Sequence, residues 1–501
     1  MNMKYTAINI GPIISTLMLA RKPRELWSAS YLFSHLMRCV IDSLPSDCRV
    51  ISPAILKGDD LKLGVGLYPD RVFIEGYMTK EVKDIFADAW ESFCESTVIK
   101  KINDKSLSVF SLKENYFNLM STFCNANSET EAIRTLNAEL DKLELINYAL
   151  DEEDRTPVLN LIKLDSISPL FSIATQDARM PVESLGEIAA TEKSENGEIW
   201  KKFRNILLDE EKKALDPYVE VFGLDYKSYH KYICVVQADG DNVGKTVSHK
   251  DLPDGQVGRI SKELLEFGKK AKAEIEAFGG LPIYAGGDDL LFIAPVVGKN
   301  HTTIFDLLEA IDDECFNGVA KAINDMELRI NESGMCIKAS LSYGISISYY
   351  KYPLYEAFAE ARHQLFDIAK NIDNKNAVAW KYRKHSGSSF EVAFSKGNKN
   401  LTNVFKELII NTSDGNVVSA VAHKIRANEL LVSEVLKSGK SVRLDALFEK
   451  LLECTDTAYF KSVKKIMPIL YTTIDKKKYG KTLYNILRTA KFIKGEEPID
   501  E

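Results

Sequence analysis

Two short acidic turns carry the residues best suited to chemistry. Asp239–Gly240–Asp241 closes an apolar run, and Gly286–Gly287–Asp288–Asp289 separates two others. Joining nucleotides requires a hydroxyl to attack an α-phosphate while pyrophosphate leaves. Two divalent ions about 4 Å apart stabilise both the entering and the leaving oxygen. Mg²⁺ or Mn²⁺ in that role takes carboxylate and phosphate oxygens. Asp239, Asp288 and Asp289 are therefore the candidate catalytic and metal-holding residues, and Asp241 could add a ligand or complete the shell through its backbone carbonyl. Gly240, Gly286 and Gly287 let backbone approach phosphate closely. Asn242 and Lys245 follow the first turn, and Lys370 lies near the end of a later helix; these three complete the candidate nucleotide-binding set. Each turn taken alone is also ordinary hairpin chemistry, and Lys370 alone also reads as a solvated helix end. The combination carries the argument, because both turns end apolar strands and one amphipathic helix lies between them.

The elements that must position these turns are legible around them. Tyr232–Ala238 is a nearly continuous apolar run, the pattern of a buried central strand. Arg259–Phe278 places Leu264, Phe267, Ala271, Ile275 and Phe278 on one helical face. Leu281–Ala285 and Leu290–Ala294 form a hairpin about Gly-Gly-Asp-Asp. A helix over about 303–326, an alternating strand from Ile337 to Ile347, a helix from Leu354 to Ile368 and a strand at Ala377–Trp380 follow. This order, β-α-β-β-α-β with an extra α-β, is that of a polymerase-type palm. In a β-α-β-β unit the first strand lies beside the hairpin, which brings Asp239 to Asp288 and Asp289.

Upstream, Tyr5–Ile10 reads as a strand, Glu25–Leu44 as a helix, and the stretches near Val50–Leu56 and Val72–Gly76 as strands. Val82–Leu150 reads as helical. The expected class is α+β: two ferredoxin-like palm domains, one of them carrying Gly-Gly-Asp-Asp, with a helical connecting domain and a C-terminal helical bundle. The expected boundaries are 1–150, 151–228, 229–385 and 386–501.

The 501 residues exceed one ordinary core, and 45% apolar with 27% charged residues is a globular balance. The net charge of −7 gives no whole-chain basic signature, yet residues 396–495 carry a net +10, fitting either a solvated helical surface or one that faces RNA or a partner. Eight scattered cysteines without a C-x-x-C pair argue against a disulfide scaffold or zinc ribbon. The N-terminus lacks the features of a signal peptide and no apolar run reaches bilayer length, so a reduced, cytoplasmic protein without membrane contact is expected. Arg21, Lys22, Arg24 and Trp27 could meet RNA by charge and stacking, although Trp27 equally suits the core.

ADGDNVGK (238–245) followed by YAGGDDLLF (284–292) resembles the palm of the large subunit of type III-B CRISPR–Cas effector complexes, itself akin to the GGDEF nucleotide cyclases. Residues 10–36 resemble that family's N-terminal palm-like domain, and YPDRVF (68–73) its recurrent Pro-Asn-Arg-Phe-like strand. RMPVESLGEIAA (179–190) is similar to its segment before the catalytic palm, and LYNILRTAKFI (483–493) to the bundle that binds the small helical subunit. The resemblance implies an assembly with guide RNA and smaller subunits, in which target RNA switches on conversion of ATP into a signalling nucleotide. It implies metals on Asp239, Asp288 and Asp289, and phosphates along Gly286 and Gly287.

Three departures accompany it. The chain starts at the palm-like domain and none of its histidines is followed by Asp, so no HD nuclease is expected. The cysteine zinc site common in relatives is missing. Asp70 stands where the family often has Asn. The family's usual product is cyclic oligoadenylate, while some relatives join AMP to S-adenosylmethionine; Asp70 in the acceptor region suits a cationic acceptor or is a surface-loop residue. Two other readings stand beside this one: a structural subunit with a silent palm, and a free-standing GGDEF-like guanylyl cyclase.

Overall fold

The computed structural model describes residues 3–54, 64–76, 78, 80–96, 116–145, 158, 162, 184–209, 216–330, 334–412, 415–451 and 457–497. Of the expected connecting domain, residues 151–183 other than 158 and 162 lie outside them, as do residues 210–215; the first part of the 179–190 motif is among these.

The N-terminal unit runs β1 (Met3–Gly11), α1 (Ile13–Leu17), α2 (Pro23–Asp42), β2 (Arg49–Ser52), β3 (Arg71–Glu75), α3 (Val82–Ser96), β4 (Asn118–Ala126) and α4 (Glu129–Glu144). Its antiparallel sheet has the order β2-β3-β1-β4, the ferredoxin arrangement. Strand β4 corrects the helical reading of 82–150. It is an edge strand that buries few side chains, and Phe123 on it is 68% exposed, so no clean period marks it. Trp27 is fully buried and donates Nε1–H to the Gly64 carbonyl at 2.8 Å, which settles it as a core anchor.

Three helices follow in the described part of the connecting segment: α5 (Leu185–Ala189), α6 (Gly197–Leu208) and α7 (Pro217–Phe222). Ser184 caps the first through a capping box with Glu187.

The second unit comprises β5 (Tyr232–Asp241), α8 (Val243–Val247), α9 (Gln256–Phe278), β6 (Leu281–Gly286), β7 (Asp289–Pro295), α10 (Ile304–Ala310) and α11 (Asn317–Asn324). A small hairpin, β8 (Arg329–Ile330) and β9 (Met335–Cys336), precedes β10 (Ser340–Tyr349), α12 (Leu354–His363), β11 (Ala377–Arg383) and β12 (Ser389–Ser395). The sheet order is β12-β11-β10-β5-β7-β6, so β10-β5-β7-β6 repeats the ferredoxin order and β11 adds a parallel strand through the α12 crossover. The chain is thus α+β with two palm domains and helical regions. Two expectations change in detail. A π turn at Ile311–Cys315 interrupts the helix expected over 303–326, and β12 occupies the start of the stretch expected to be helical. Phe390, Val392 and Phe394 of β12 alternate inward, so its period-2 signal was present in the sequence.

Strand β5 is buried on both faces, which is why its sequence reads as continuous. Cys234, Val236 and Ala238 pack with α9, α10 and α11, whereas Ile233 and Val235 pack with α2 of the first palm and with α12. The first palm also docks on the edge of the second: Gly66 bridges Tyr284 in parallel, and Ala285 N–H donates to the Gly66 carbonyl at 2.9 Å.

Beyond β12 lie α13 (Lys399–Asn411), α14 (Gly415–Ala427), α15 (Glu429–Lys437), α16 (Ser441–Leu451), α17 (Ala458–Thr473) and α18 (Tyr479–Lys494). Phe492 of α18 stacks on Tyr382 at 4.0 Å, fixing the helices to the palm sheet. Cys39, Cys48, Cys124, Cys234, Cys315 and Cys336 stand outside any disulfide, and no described helix is long and apolar enough to cross a membrane.

Candidate active site

The end of β5 and the tip of the β6–β7 hairpin meet. Ala238 pairs with Leu290 across the sheet, which sets Asp239 beside Asp289. Gly240 N–H donates to the Asp288 carbonyl at 3.1 Å. The hairpin closes over Gly287–Asp288, with Gly286 opposite Asp289. Gly287 has φ +64°, as the first central position of a type II′ turn requires. The expected trio of Asp239, Asp288 and Asp289 is therefore brought together, and each is half-buried.

Charge is in excess here. Burial pushes the Asp288 carboxyl up to about 7, with Asp239 adding to it. Burial, then Asp239, Asp288 and Asp70, push Asp289 well above the ordinary carboxylate range. Asp239 is also raised by burial, and Lys370 pulls the other way. Three hard oxygen donors with unrelieved negative charge suit Mg²⁺ or Mn²⁺ in donor type. As they stand, no three His, Cys, Asp or Glu side chains among the described residues are arranged to hold an ion together.

The Asp241 carboxylate is fully engaged with protein donors. It is fully buried, and its Oδ2 accepts from Ser340 Oγ at 2.7 Å, Ser342 Oγ at 2.8 Å and the Asn376 N–H at 2.9 Å. Its Oδ1 accepts from Lys370 Nζ at 2.7 Å. Lys370, expected on phosphate, is instead engaged beneath the strand end with Asp239 and Asp241. Burial pulls the Lys370 ammonium down, but Asp239 and Asp241 outweigh it and hold it above its ordinary value.

Asn242 sits at φ 65° before α8 and donates Nδ2–H to the Lys338 carbonyl at 2.9 Å, so it shapes the turn. Lys245 is exposed on α8. The residue that sequence reasoning missed is Lys375. Asn374, Lys375 and Asn376 are all left-handed (φ 63°, 53° and 45°), and Lys375 is held near Asp239, Asp241, Lys245 and Lys370. Burial first, then Lys370, lowers its ammonium. An Asn-Lys-Asn run signals a turn, yet nothing in it points toward a site some 135 residues earlier.

Asp70 lies on the first palm and faces the hairpin. A partly open cavity of about 120 Å³ between the palms is lined by Asp70, Gln237, Tyr284 and Asp289 with Phe33 and Phe358 among its walls. Burial raises the Asp70 carboxyl, Arg71 opposing. Asp70 and Asp289 thus line the same cavity.

A double palm with an acidic strand end against an acidic hairpin tip defines a nucleotidyltransferase-like fold. Residues 232–379 match the family model of the Cas10/Cmr2 second palm domain, and residues 5–95 that of the CRISPR-associated protein Cmr2 N-terminal region. The CRISPR system Cmr subunit Cmr2 of Pyrococcus furiosus is 28% identical over 218 residues, 38% of this chain but only 23% of that relative's length. The apo type III-B Cmr-beta structure contains a chain that superposes with TM-score 0.61 at 13% identity, over 99% of this chain and 82% of that one. Cmr-beta bound to cognate target RNA gives TM-score 0.57 at 13% identity, over 99% and 83%. The chain belongs to the Cas10/Cmr2 family of type III-B CRISPR large subunits.

Proposed function

We propose that the second palm converts ATP into a signalling nucleotide, within an RNA-guided type III-B complex that target RNA switches on. The observation that carries this reading is the meeting of Asp239, at the end of β5, with Asp288 and Asp289 at the hairpin tip, each half-buried with its carboxyl pushed up. Divalent ions held there would supply charge stabilisation for the attacking and leaving oxygens. The chain's own residues do the rest. Gly287 leaves the hairpin tip open to phosphate and Gly286 lets the Tyr284 ring lie against it, while Lys245 and Lys375 are the ammonium groups that would meet a triphosphate. The first palm walls the cavity beside Asp289.

That cavity suits the acceptor. Asp70 gives it a carboxylate, and its product is either a cyclic oligoadenylate or AMP joined to S-adenosylmethionine, whose sulfonium and ammonium suit an acidic wall. Guide RNA and smaller subunits complete the assembly. The exposed Leu430, Leu431 and Val442 on the C-terminal helices suit the small helical subunit.

The test is mass spectrometry of products from the purified complex with target RNA, Mn²⁺ and ATP, with and without S-adenosylmethionine. An adenylate product that requires target RNA and vanishes in Asp288→Ala/Asp289→Ala is expected. No product from a complex that still binds its target would favour a silent scaffold, and preference for GTP would favour a guanylyl cyclase. Unchanged product and rate in Asp70→Asn would remove Asp70 from the acceptor site.

A further inference from the structure

Lys370 reaches the strand end from an irregular helix. α12 gives way to a π turn over Gln364–Ile368 and then a 3₁₀ turn over Ala369–Asn371. A π turn inserts a residue into the helical register, which redirects the side chains that follow it. Here the Lys370 ammonium donates to the Asp239 carbonyl at 2.9 Å, the Gly240 carbonyl at 3.1 Å and Asp241 Oδ1 at 2.7 Å, and pairs with Asp239 Oδ2. The side chain is 10% exposed.

All four partners are oxygens, two from carboxylates and two from carbonyls. That is the donor set a hard divalent cation takes, assembled here around an ammonium. The two carboxylates differ in freedom. Asp241 is held by Ser340, Ser342 and the Asn376 amide as well, and cannot turn. For the Asp239 carboxylate, Lys370 is the one ion-pair partner among the described residues. It is also partly exposed, and it lies beside Asp289.

We propose that Lys370 is a resident counter-ion: its ammonium holds the cation position beside Asp239 until a divalent ion arrives, then gives up Asp239 while keeping Asp241. This rests on the divalent-ion reading above. Three half-buried carboxylates without a cation repel one another, and an internal ammonium relieves that repulsion while holding the strand end in shape. The same pair works against the metal, because the ammonium on Oδ2 lowers the negative charge that Asp239 offers a second cation. Among the described residues the acidic side chains are not grouped closely enough to hold one ion together. Lys370 is a positioning residue in this account, acting through Asp239.

Manganese binding to the full-length protein, read from free Mn²⁺ by electron paramagnetic resonance, and its melting temperature test this. Lys370→Met removes the competing charge at similar length. It should lower the melting temperature without metal, enlarge the Mn²⁺-induced rise, and tighten Mn²⁺ binding about fivefold. Lys370→Arg keeps the charge on a rigid fork that grips both carboxylates, and should weaken Mn²⁺ binding by roughly fivefold without lowering the metal-free melting temperature. Mn²⁺ affinity and melting increments equal to wild type in both variants would make Lys370 a plain structural brace and overturn the proposal. If Lys370→Met does not fold, unchanged affinity in Lys370→Arg overturns it alone. An Asp288→Ala/Asp289→Ala protein that binds Mn²⁺ as wild type does would refute the divalent-ion reading itself, and this inference with it.

Discussion

Gly240 and Asp288 are in van der Waals contact: a Cβ built on Gly240 would lie 2.6 Å from both the Cβ and Oδ2 of Asp288. The glycine is there for closeness of approach, since its φ is not in the left-handed region. Gly240→Ala must push the hairpin tip away from β5. The strand pairing beyond it, from Ala238 back to Ile233, is untouched. The expected cost in stability is about 1–3 kcal/mol. Activity should fall on the order of a hundredfold, because a displacement near 1 Å is enough for that. Circular dichroism and product formation measured on the same preparation check both numbers.

Asp288 sets the pH behaviour. Burial and Asp239 hold its carboxyl near 7, above the ordinary Asp value, so the native chain binds more protons than the unfolded one between those two points. Its contribution to stability is therefore largest at low pH and is lost as pH rises toward 7. A divalent ion must displace that proton. Asp239 and Asp289 are raised as well, so Mn²⁺ affinity should rise by at least about tenfold from pH 6 to pH 7 and keep rising above it. Titrations at pH 6, 7 and 8 decide this, and an affinity constant across that range would contradict it.

Much of this geometry was legible in the sequence, and the reasons are local. Apolar runs ending in Asp-Gly-Asp and flanking Gly-Gly-Asp-Asp located β5 and the hairpin, because strands buried on both faces and two-residue turns leave strong signals. What escaped was the support beneath them. Asp241 is held by Ser340, Ser342 and the Asn376 amide, groups that follow it by about a hundred residues and carry no motif. Lys370 was noticed, but its partners depend on a π turn that no periodicity announces. Edge strand β4 was lost for the opposite reason: it buries too little to show a period.

That hidden support makes Asp241 more sensitive than its neighbour. Its carboxylate is the buried anion opposite Lys370, and all its known partners are donors. Asp241→Asn puts an amide N–H₂ among those donors and leaves the ammonium with one carboxylate fewer. A cost of about 3–5 kcal/mol is expected, as for breaking a buried ion pair from one side. Asp239→Asn, whose carboxylate is partly exposed, should cost much less. Hydrogen-exchange protection along β5 and β10 measures the difference.

Lys375 offers a test in which stability and function move oppositely. Its φ of 53° costs a non-glycine side chain about 1–2 kcal/mol. Lys375→Gly should relieve that strain and raise the melting temperature, while removing an ammonium that faces the acidic site. ATP should then bind more weakly. If ATP affinity does not change, the left-handed run is a turn and nothing more.

The last prediction links the π turn to the site. Gly344 on β10 pairs with Gln237 on β5, and a Cβ on it would lie 2.2 Å from both the Ala361 carbonyl and the Leu365 amide. Those atoms are backbone of α12 and the π turn, so they cannot swing aside. Gly344→Ala must lift this helix from the sheet and carry Lys370 away from Asp239 and Asp241. Its cost should be at the upper end of the roughly 1–3 kcal/mol usual for overpacking, or beyond it. If the helix acts on the site only through Lys370, adding Gly344→Ala to Lys370→Met should change Mn²⁺ affinity little further. The two effects would then be strongly non-additive in a double-mutant cycle. Additive effects on Mn²⁺ affinity would mean that Gly344 shapes the acidic turn by some other route, through β5 and Gln237.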